Sequence, residues 1–450
     1  MSLAETVFIG LRDNRAIRSE FLQRISDRFA LRVAERAFVP RLDVIAQGSR
    51  ARVAGTTTNA FNLGPVVSWD APTGARFTLG WISTQANVRG QAPQSFSQLS
   101  FQVIQPLLAG GGVNFAMAPV RIARISESNA QLRLKGNVID QITAIITAYR
   151  NLVQTQEQLR IAEASLRRAR ELLEVNRALI AAGRIAQIEL IQSEASIAQQ
   201  ELSLTAARNA NEGARLALLL LMALDPASRI WASERPSAES VRVELPRALE
   251  TAYNNQPAYL QSLLAIEISR IQLDVARNQR QWEVNLVAGG GPQSSGLGRE
   301  LVDTIGALGR VRSDFNIGLQ VNIPIGQLRR EQGEVNATVA LRQTELAAEQ
   351  ARDRVRQQVE DAVRNLEAQR RQAELARRSR ELVAQQLQAE LARLQAGRSS
   401  NFQVVSFQSQ LQNAESAELG AVIGYVNALT TLDQVLGTTL DTWRITLNPP

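Results

Sequence analysis

Asp353, Glu360 and Asp361 are grouped closely enough to suggest a carboxylate site, and Gly289-Gly290-Gly291 to suggest a phosphate cradle. Neither carries that chemistry. The three carboxylates are spaced among arginines along a helical pattern, where residues three and four apart face one another, so they support ion pairing. The glycines precede Pro292 and not a helix, so no helix N-terminus follows to hold an anion. The chain has no cysteine and no histidine. Thiol catalysis, disulfides, thiolate or imidazole metal sites and His-based acid/base chemistry are therefore excluded. No P-loop, dinucleotide fingerprint, nucleophile elbow or zinc motif is present, and no catalytic, cofactor or metal residue is assigned.

Charge narrows the partners further. The formal net charge is +7, and of the 50 basic residues only Lys135 is a lysine. Arg and Glu are interleaved along helical stretches without aromatics among them, which argues against a nucleic-acid surface. The densest basic cluster, Arg364, Arg370, Arg371, Arg377, Arg378 and Arg380, reads as a solvated helix face, with a partner-docking surface as the alternative.

The elements beneath these residues are unusual. Between about Phe315 and Glu390 a strand, with Phe315, Ile317, Leu319, Val321 and Ile323 alternating with polar or small residues, passes through Pro324 and Gly326 into a helical pattern. At about 1.5 Å per residue that helix is of order 100 Å long. The earlier half does the same: Leu99, Phe101 and Val103 alternate, Pro106 follows, Gly110-Gly111-Gly112 punctuates, and a helix continues over 113–181. Two copies of so unusual an element indicate an internal duplication.

In chain order, residues 3–38 read as a helix closed by Pro40, and 42–52 as a strand. Residues 54–95, rich in Gly, Thr, Asn and Pro, read as a loop carrying a small extra hairpin around Pro72-Thr73-Gly74. Strand 96–105, the long helix, a stop at Gly183 and a helix over 186–222 complete a first repeat, residues 1–224. Residues 225–245 form a linker. The second repeat, 246–437, runs through helix 247–280, a strand at Trp282, Val284 and Leu286, a glycine-rich loop to about 312, the strand of Phe315, a long helix over 326–395, a stop at Gly397 and a helix over 402–436; a tail, 438–450, remains. In this reading two half-length helices match one long helix, as a cylinder of uniform height requires.

Four main strands with one polar and one apolar face suit a barrel in lipid with a watery lumen, and open edges are not tolerated there, so other chains must complete it. Three chains contribute twelve strands. Val355, Val359, Val363 and Leu366 mark a helix seam, but the pattern is looser than a strict coiled coil. A cytoplasmic coiled-coil scaffold is the alternative, and the strands at 98–105 and 314–323 discriminate against it. No run of 18 or more apolar residues offers a transmembrane helix. A helical pattern starts at Ser2 without the sections of a signal peptide, so the expectation is either a cytoplasmic protein or one whose export signal has been removed.

Ile104-Gln105-Pro106-Leu107-Leu108 with its following glycines, Val321-Asn322-Ile323-Pro324-Ile325, and the twin segments Ala182-Gly183-Arg184 and Ala396-Gly397-Arg398 bring the chain to a known family. Each twin segment is followed by an apolar pair, Leu190-Ile191 and Val404-Val405. In this duplicated order the chain resembles the TolC-like outer-membrane efflux proteins over about residues 2–445. The resemblance implies a mainly α fold with transmembrane β structure: a homotrimer whose 12-stranded outer-membrane barrel continues into a periplasmic helical tunnel. It also implies a passive channel for efflux or type I secretion, docked at its helix tips by a periplasmic adaptor and an inner-membrane pump. Residues 54–95 and 289–312 would be outer loops, and 225–245 with the tail a belt around the tunnel. Gly183, Arg184, Gly397 and Arg398 would form the adaptor-docking tips, and Pro106 and Pro324 the strand-to-helix transitions. The entrance positions would be Glu189, Gln403 and Ser406. Acidic rings expected just after the second tip are replaced here by Gln403 and Ser406, which implies a weaker or differently placed charge filter. No cysteine is present to carry a lipid, so an anchor would be absent or lie outside these residues.

Overall fold

Pro and Gly are nearly absent from two long stretches of the sequence, and those stretches become single helices. In a computed structural model, which describes residues 1–53, 56–88, 90–234, 241–297, 306, 313–396 and 398–446, α1 (Leu3–Asp13) and α2 (Arg15–Glu35) lead through a 3₁₀ turn to four strands. These are β1 (Arg41–Val53), β2 (Thr56–Asp70), β3 (Arg76–Val88) and β4 (Gln94–Pro106). Then follow α3 (Val113–Ala116), α4 (Ala118–Ala181), α5 (Ile188–Leu221), α6 (Leu245–Asn255) and α7 (Pro257–Arg280). The chain ends with β5 (Glu283–Leu297), β6 (Ser313–Asn322), α8 (Leu328–Gln395), α9 (Asn401–Leu436) and α10 (Thr439–Thr442). Within α4 the only breakers are Pro119, in the first turn where a missing N–H costs nothing, and Gly136; within α8 there is only Gly333.

The two shorter helical stretches each break once. Asn14 interrupts the first: its Oδ1 accepts from the N–H of Ala16 at 2.8 Å and its Nδ2 donates to Gln141 Oε1 at 3.0 Å, so a side chain caps α2 and anchors it to α4. Gln256, before Pro257, interrupts the second, and its Oε1 accepts from the N–H of Tyr259 at 2.9 Å. The continuous helices expected over 3–38 and 247–280 are thus pairs.

The chain divides into two units: residues 1–24, 131–261 and 349–450, and residues 25–130 and 262–348. The first unit is helical. Leu134, Val138, Ile142, Ile145, Tyr149 and Leu152, spaced three and four apart on α4, are all at most 4% exposed and form its main seam. Each such side chain contributes about 1.5–3 kcal/mol of burial. Val355, Val359 and Leu366 are equally buried on α8, with Val363 packed beside them, so the expected seam is present. α9 is long and apolar enough to cross a membrane by length and composition, but Val404, Leu411, Ile423, Tyr425 and Leu432 are packed inside this unit.

The second unit holds one antiparallel sheet in the order β1-β2-β3-β4-β5-β6. Among the described residues the sheet has six full strands where four main ones and a small extra hairpin were expected, and the expected loop over 54–95 is corrected. Apart from residues 54, 55 and 89, which lie outside the described ones, it is a hairpin as long as its neighbours. β1 pairs with β2 from Arg41↔Ser68 to Val53↔Thr56, and β3 pairs with β4 from Arg76↔Ile104 to Ala86↔Gln94. The loop expected from residue 289 likewise begins as strand, because β5 runs on to Leu297; residues 298–305 and 307–312 lie outside the described ones. Gly290 and Gly291 permit this. They have φ of +153° and +151°, and a Cβ on either would stand within 2.0 Å of a carbonyl oxygen on the adjacent strand.

Paired residues of antiparallel strands share a face, so the register assigns the faces. Leu42, Val67, Leu79, Phe101, Gly290 and Phe315 lie in one cross-strand row, and the next row on the same face contains Trp69, Phe77, Val103, Ala288 and Ile317. The row between them, on the opposite face, is Arg41, Ser68, Thr78, Gln102, Gly289 and Asn316. Over these rows one face is apolar and the other polar; farther along the strands the first face carries Ser83, Ser97 and Ser294 and the second Ile82 and Phe96.

Candidate functional site at the helix tips

α4 ends because Gly183 adopts φ +68°, which a side chain resists. The N–H of Gly183 donates to Ile180 O and that of Arg184 to Leu179 O, both at 2.9 Å, which closes the last turn in a Schellman arrangement. α8 ends in the same way as far as it is described: the N–H of Arg398 donates to Arg393 O at 2.8 Å. Gly397 lies outside the described residues. Arg184 and Arg398 are both exposed.

The turns feed two helices whose first residues carry the entrance positions. Ser400 caps α9, its Oγ accepting from the N–H of Gln403 at 3.4 Å. Gln403 is exposed and its Oε1 accepts from Ser399 Oγ at 2.9 Å; Ser406 is half-buried one turn on. Glu189 stands in the first turn of α5. Its carbonyl accepts from Asn401 Nδ2 at 3.3 Å and Ser193 Oγ at 3.2 Å, and its Oε2 is enclosed without a hydrogen-bond donor.

What joins the tips escaped the sequence reading. Asn176, Ser193 and Asn401, from α4, α5 and α9, are each at most 1% exposed. Asn176 Nδ2 donates to Ser193 Oγ at 2.8 Å and Asn401 Oδ1 at 2.7 Å, and Asn401 Nδ2 donates back to Ser193 Oγ at 3.2 Å. Beside them Leu172, Leu387, Leu394, Val404 and Leu411 make the apolar core of the tip. On the α8 side the buried Glu390 accepts from Ser399 Oγ and pairs with Arg393 Nη1 at 3.3 Å. An Asn and a Ser are ordinary residues in any helix; only the fold brings positions so far apart in sequence together.

Four of the six arginines of the basic cluster stand in ion pairs. Arg364 pairs with Asp361, Arg370 with Glu374 at 3.3 Å and Arg377 with Glu381 at 3.2 Å, while Arg380 reaches across to Glu418 on α9 at 2.8 Å. The hydrogen bond that Arg380 donates to Glu418 raises the Arg380 pKa further. Glu360 pairs with Arg356 at 2.9 Å, so the carboxylates of α8 do what their spacing indicated.

In the sheet unit, Pro106 ends β4, but pairing continues past it: Leu107 N–H donates to Val284 O at 2.7 Å and Ala109 N–H to Trp282 O at 3.1 Å. The redirection comes at the glycines, where Asn278 on α7 accepts from Gly110 N–H at 2.8 Å and donates to Gly111 O at 3.0 Å. Pro324 follows the end of β6, and Gly326 with φ +74° turns the chain into α8.

Residues 248–438 match a family model described as outer membrane efflux protein. No curated protein sequence matches the chain. Solved structures do. The chain is similar to the CusC transmembrane channel (17% identity, TM-score 0.75, covering 97% of this chain and 92% of that one). It is similar to the CmeC outer membrane channel of Campylobacter jejuni (16%, 0.73, covering 97% and 86%). It is also similar to the outer membrane protein VceC of Vibrio cholerae (15%, 0.72, covering 97% and 96%). At these identities the likeness establishes the fold.

Proposed function

We infer that this chain is a TolC-like outer-membrane efflux protein and one protomer of a passive channel-tunnel, a reading supported by a fold shared along nearly its whole length and by the family-model match over residues 248–438. Three copies close a β-barrel in the outer membrane, and their helices form the tunnel below it in the periplasm. The observation that carries this reading is the six-stranded sheet, apolar on one face and polar on the other over the rows from Leu99 to Val103, whose edge strands β1 and β6 are exposed along their described lengths. Unpaired strand edges are not tolerated in lipid. β1 runs away from the helices and β6 back toward them, so β6 of one copy meets β1 of the next antiparallel. A coiled-coil scaffold would have no use for such a sheet.

A periplasmic adaptor and an inner-membrane pump complete the machine, for efflux or for type I secretion. They supply energy and choose cargo, while the tips around Gly183, Arg184, Gly397 and Arg398 receive the adaptor. The entrance positions Glu189, Gln403 and Ser406 carry one carboxylate per chain, so the charge filter there is weak. Residues 225–234 and 241–245, which pack on the helical unit through Arg215 to Pro226 O at 3.0 Å and Val241 N–H to Tyr425 Oη at 3.2 Å, belong to the belt; 235–240 lie outside the described residues. Detergent-purified protein added to a planar bilayer is expected to give discrete conductance steps that micromolar divalent cations leave unchanged. A soluble monomer that needs no detergent and gives no steps overturns the channel; block by divalent cations overturns the weak filter alone.

A further inference from the structure

We propose that the β2–β3 hairpin is barrel wall and not loop, so that the assembled barrel has eighteen strands and an outer mouth wide enough for bulky solutes. This rests on the trimeric reading above. Four observations carry it. β1 pairs with β2 and β3 with β4 along their lengths, and β1 does not touch β4, so the hairpin cannot leave the sheet without breaking two complete ladders. Its strands, of 15 and 13 residues, are as long as β1 and β4 and exceed the roughly 9–11 residues that cross a bilayer. Its residues Val67, Trp69, Phe77, Leu79 and Trp81 continue the apolar rows of the flanking strands, Leu42, Leu99, Phe101 and Val103, as a lipid-facing wall must and an aqueous loop need not.

The fourth observation is the base of the hairpin. Its turn is seated against the glycines that lead into α3. Gly112 N–H donates to Thr73 O at 3.1 Å, Thr73 Oγ1 and Gln105 Oε1 stand 3.1 Å apart, and a Cβ on Gly74 would lie 2.6 Å from Gly110 O. Ala71 and Ala75 are buried there. Asp70 closes the base with Arg41 at 3.1 Å and Arg76 at 2.8 Å, and Trp69 stacks on Phe77 at 4.8 Å, the aromatic placement of a membrane interface.

Width follows from strand number. With strands about 4.8 Å apart and tilted by about 40°, eighteen of them make a ring about 36 Å across between backbones, against about 24 Å for twelve. The cross-section roughly doubles. After inward side chains are allowed for, the mouth admits solutes about 20 Å across, where a twelve-stranded barrel admits about half that. The inward row of Arg41, Ser68, Thr78, Gln102, Gly289 and Asn316 carries one charge per chain, and the rows beside it on the same face carry Asp43, Asp70, Arg76 and Asp314, so charges of both signs line this part of the lumen.

Electron cryomicroscopy of the detergent-purified full chain counts the strands in cross-section. Eighteen in a ring about 36 Å across is the expected result, and deletion of residues 56–88, which lets β1 run directly into an antiparallel β4, is expected to narrow it to about 24 Å. A threefold assembly with twelve strands, the hairpin folded outside, overturns this inference and leaves the channel standing. An assembly without threefold symmetry overturns both. In the bilayer, polyethylene glycols about 20 Å in diameter added on the barrel side are expected to enter the full chain and lower its conductance, but to be excluded from the deletion variant. Exclusion of these polymers from the full chain, or equal cut-offs for the two, overturns the inference. If the deletion variant fails to assemble, the strand count of the full chain decides.

Discussion

The two halves of the chain use the same order of elements, a broken helix, strands, a long helix and a shorter one, but among the described residues the first half places four strands where the second places two. The difference shows which insertions this architecture accepts. A hairpin adds an up strand and a down strand together, so the chain still leaves the sheet at the end where α3 and α4 begin. A single added strand would have reversed every element after it. Because the alternation of faces has a period of two, the hairpin must also keep register with β1 and β4, and it does, from Val67 opposite Leu42 to Leu79 opposite Phe101.

Arginine substitutions test that equivalence most severely. Val67→Arg and Leu79→Arg on the hairpin are each expected to cost up to about 2–4 kcal/mol as the side chain nears the bilayer centre, and Ile317→Arg on β6, in the interfacial row of Trp69 and Phe77, about 1 kcal/mol. Thr78→Arg, on the opposite face, is expected to be tolerated. The measurement is urea unfolding from lipid bilayers together with the yield of assembled oligomer. If the hairpin arginines prove harmless while Ile317→Arg is not, the hairpin lies outside the wall and the halves are not equivalent.

The tips differ in a subtler way. With Gly183 and Gly397 aligned, the buried Asn176 of α4 corresponds to the buried Glu390 of α8. Asn176 ties three helices together through Ser193 and Asn401, whereas Glu390 is held by Ser399 and Arg393, close to it in sequence. Asn176→Ala is therefore expected to destabilise by about 1–3 kcal/mol, since it leaves enclosed polar atoms without partners. Glu390→Gln keeps the bond to Ser399 and loses only a pair with a mostly exposed arginine, so about 1 kcal/mol or less is expected. Denaturant unfolding of the two variants in detergent sets them side by side. Equal losses would mean that the local cap matters as much as the three-helix junction.

Legibility in the sequence followed the range of the determining interactions. The long helices could be read to within a few residues because residues such as Leu134, Val138 and Ile142 repeat locally, and the strand of Phe315 because its alternation is unbroken. Residues 54–95 read as a loop with only a small hairpin because Gly, Thr, Asn and Pro are frequent there, and Gly64-Pro65, poor strand residues, stand within β2. In the fold the β2–β3 ladder is interrupted at that point, while Pro65 still faces Val44 on β1. The broken helices at Asn14 and Gln256 depend on side chains capping their own backbone, which apolar periodicity does not report. The Asn176 junction depends on residues in three helices and had no local signal at all.

The smallest effect distinguishes the halves through protons. Arg150 on α4 donates to Thr430 Oγ1 at 2.7 Å and to Val426 O on α9, and burial lowers its pKa to about 10, partly offset by Asp433 and Glu234. Arg364, the corresponding residue of α8, is exposed and pairs with Asp361 on its own helix. Of these two corresponding positions only Arg150 sends its cation into the interior, where Asp433 is also largely buried. Burial raises the Asp433 pKa above its ordinary 3.8, with hydrogen bonds from Thr442 and Thr438 and the charge of Arg150 opposing. A folded pKa above the unfolded one means that the folded state holds the extra proton in that window. The contribution is therefore fully present below pH about 4 and is lost as the pH rises through the folded pKa. Asp433→Asn removes this dependence, so the stability gained by the original chain relative to the variant on going from pH 7 toward pH 4 is the readout. A gain in that direction is expected. No difference in slope would mean that Asp433 is solvated in the assembled protein, and that α4 and α8 meet α9 on equal electrostatic terms.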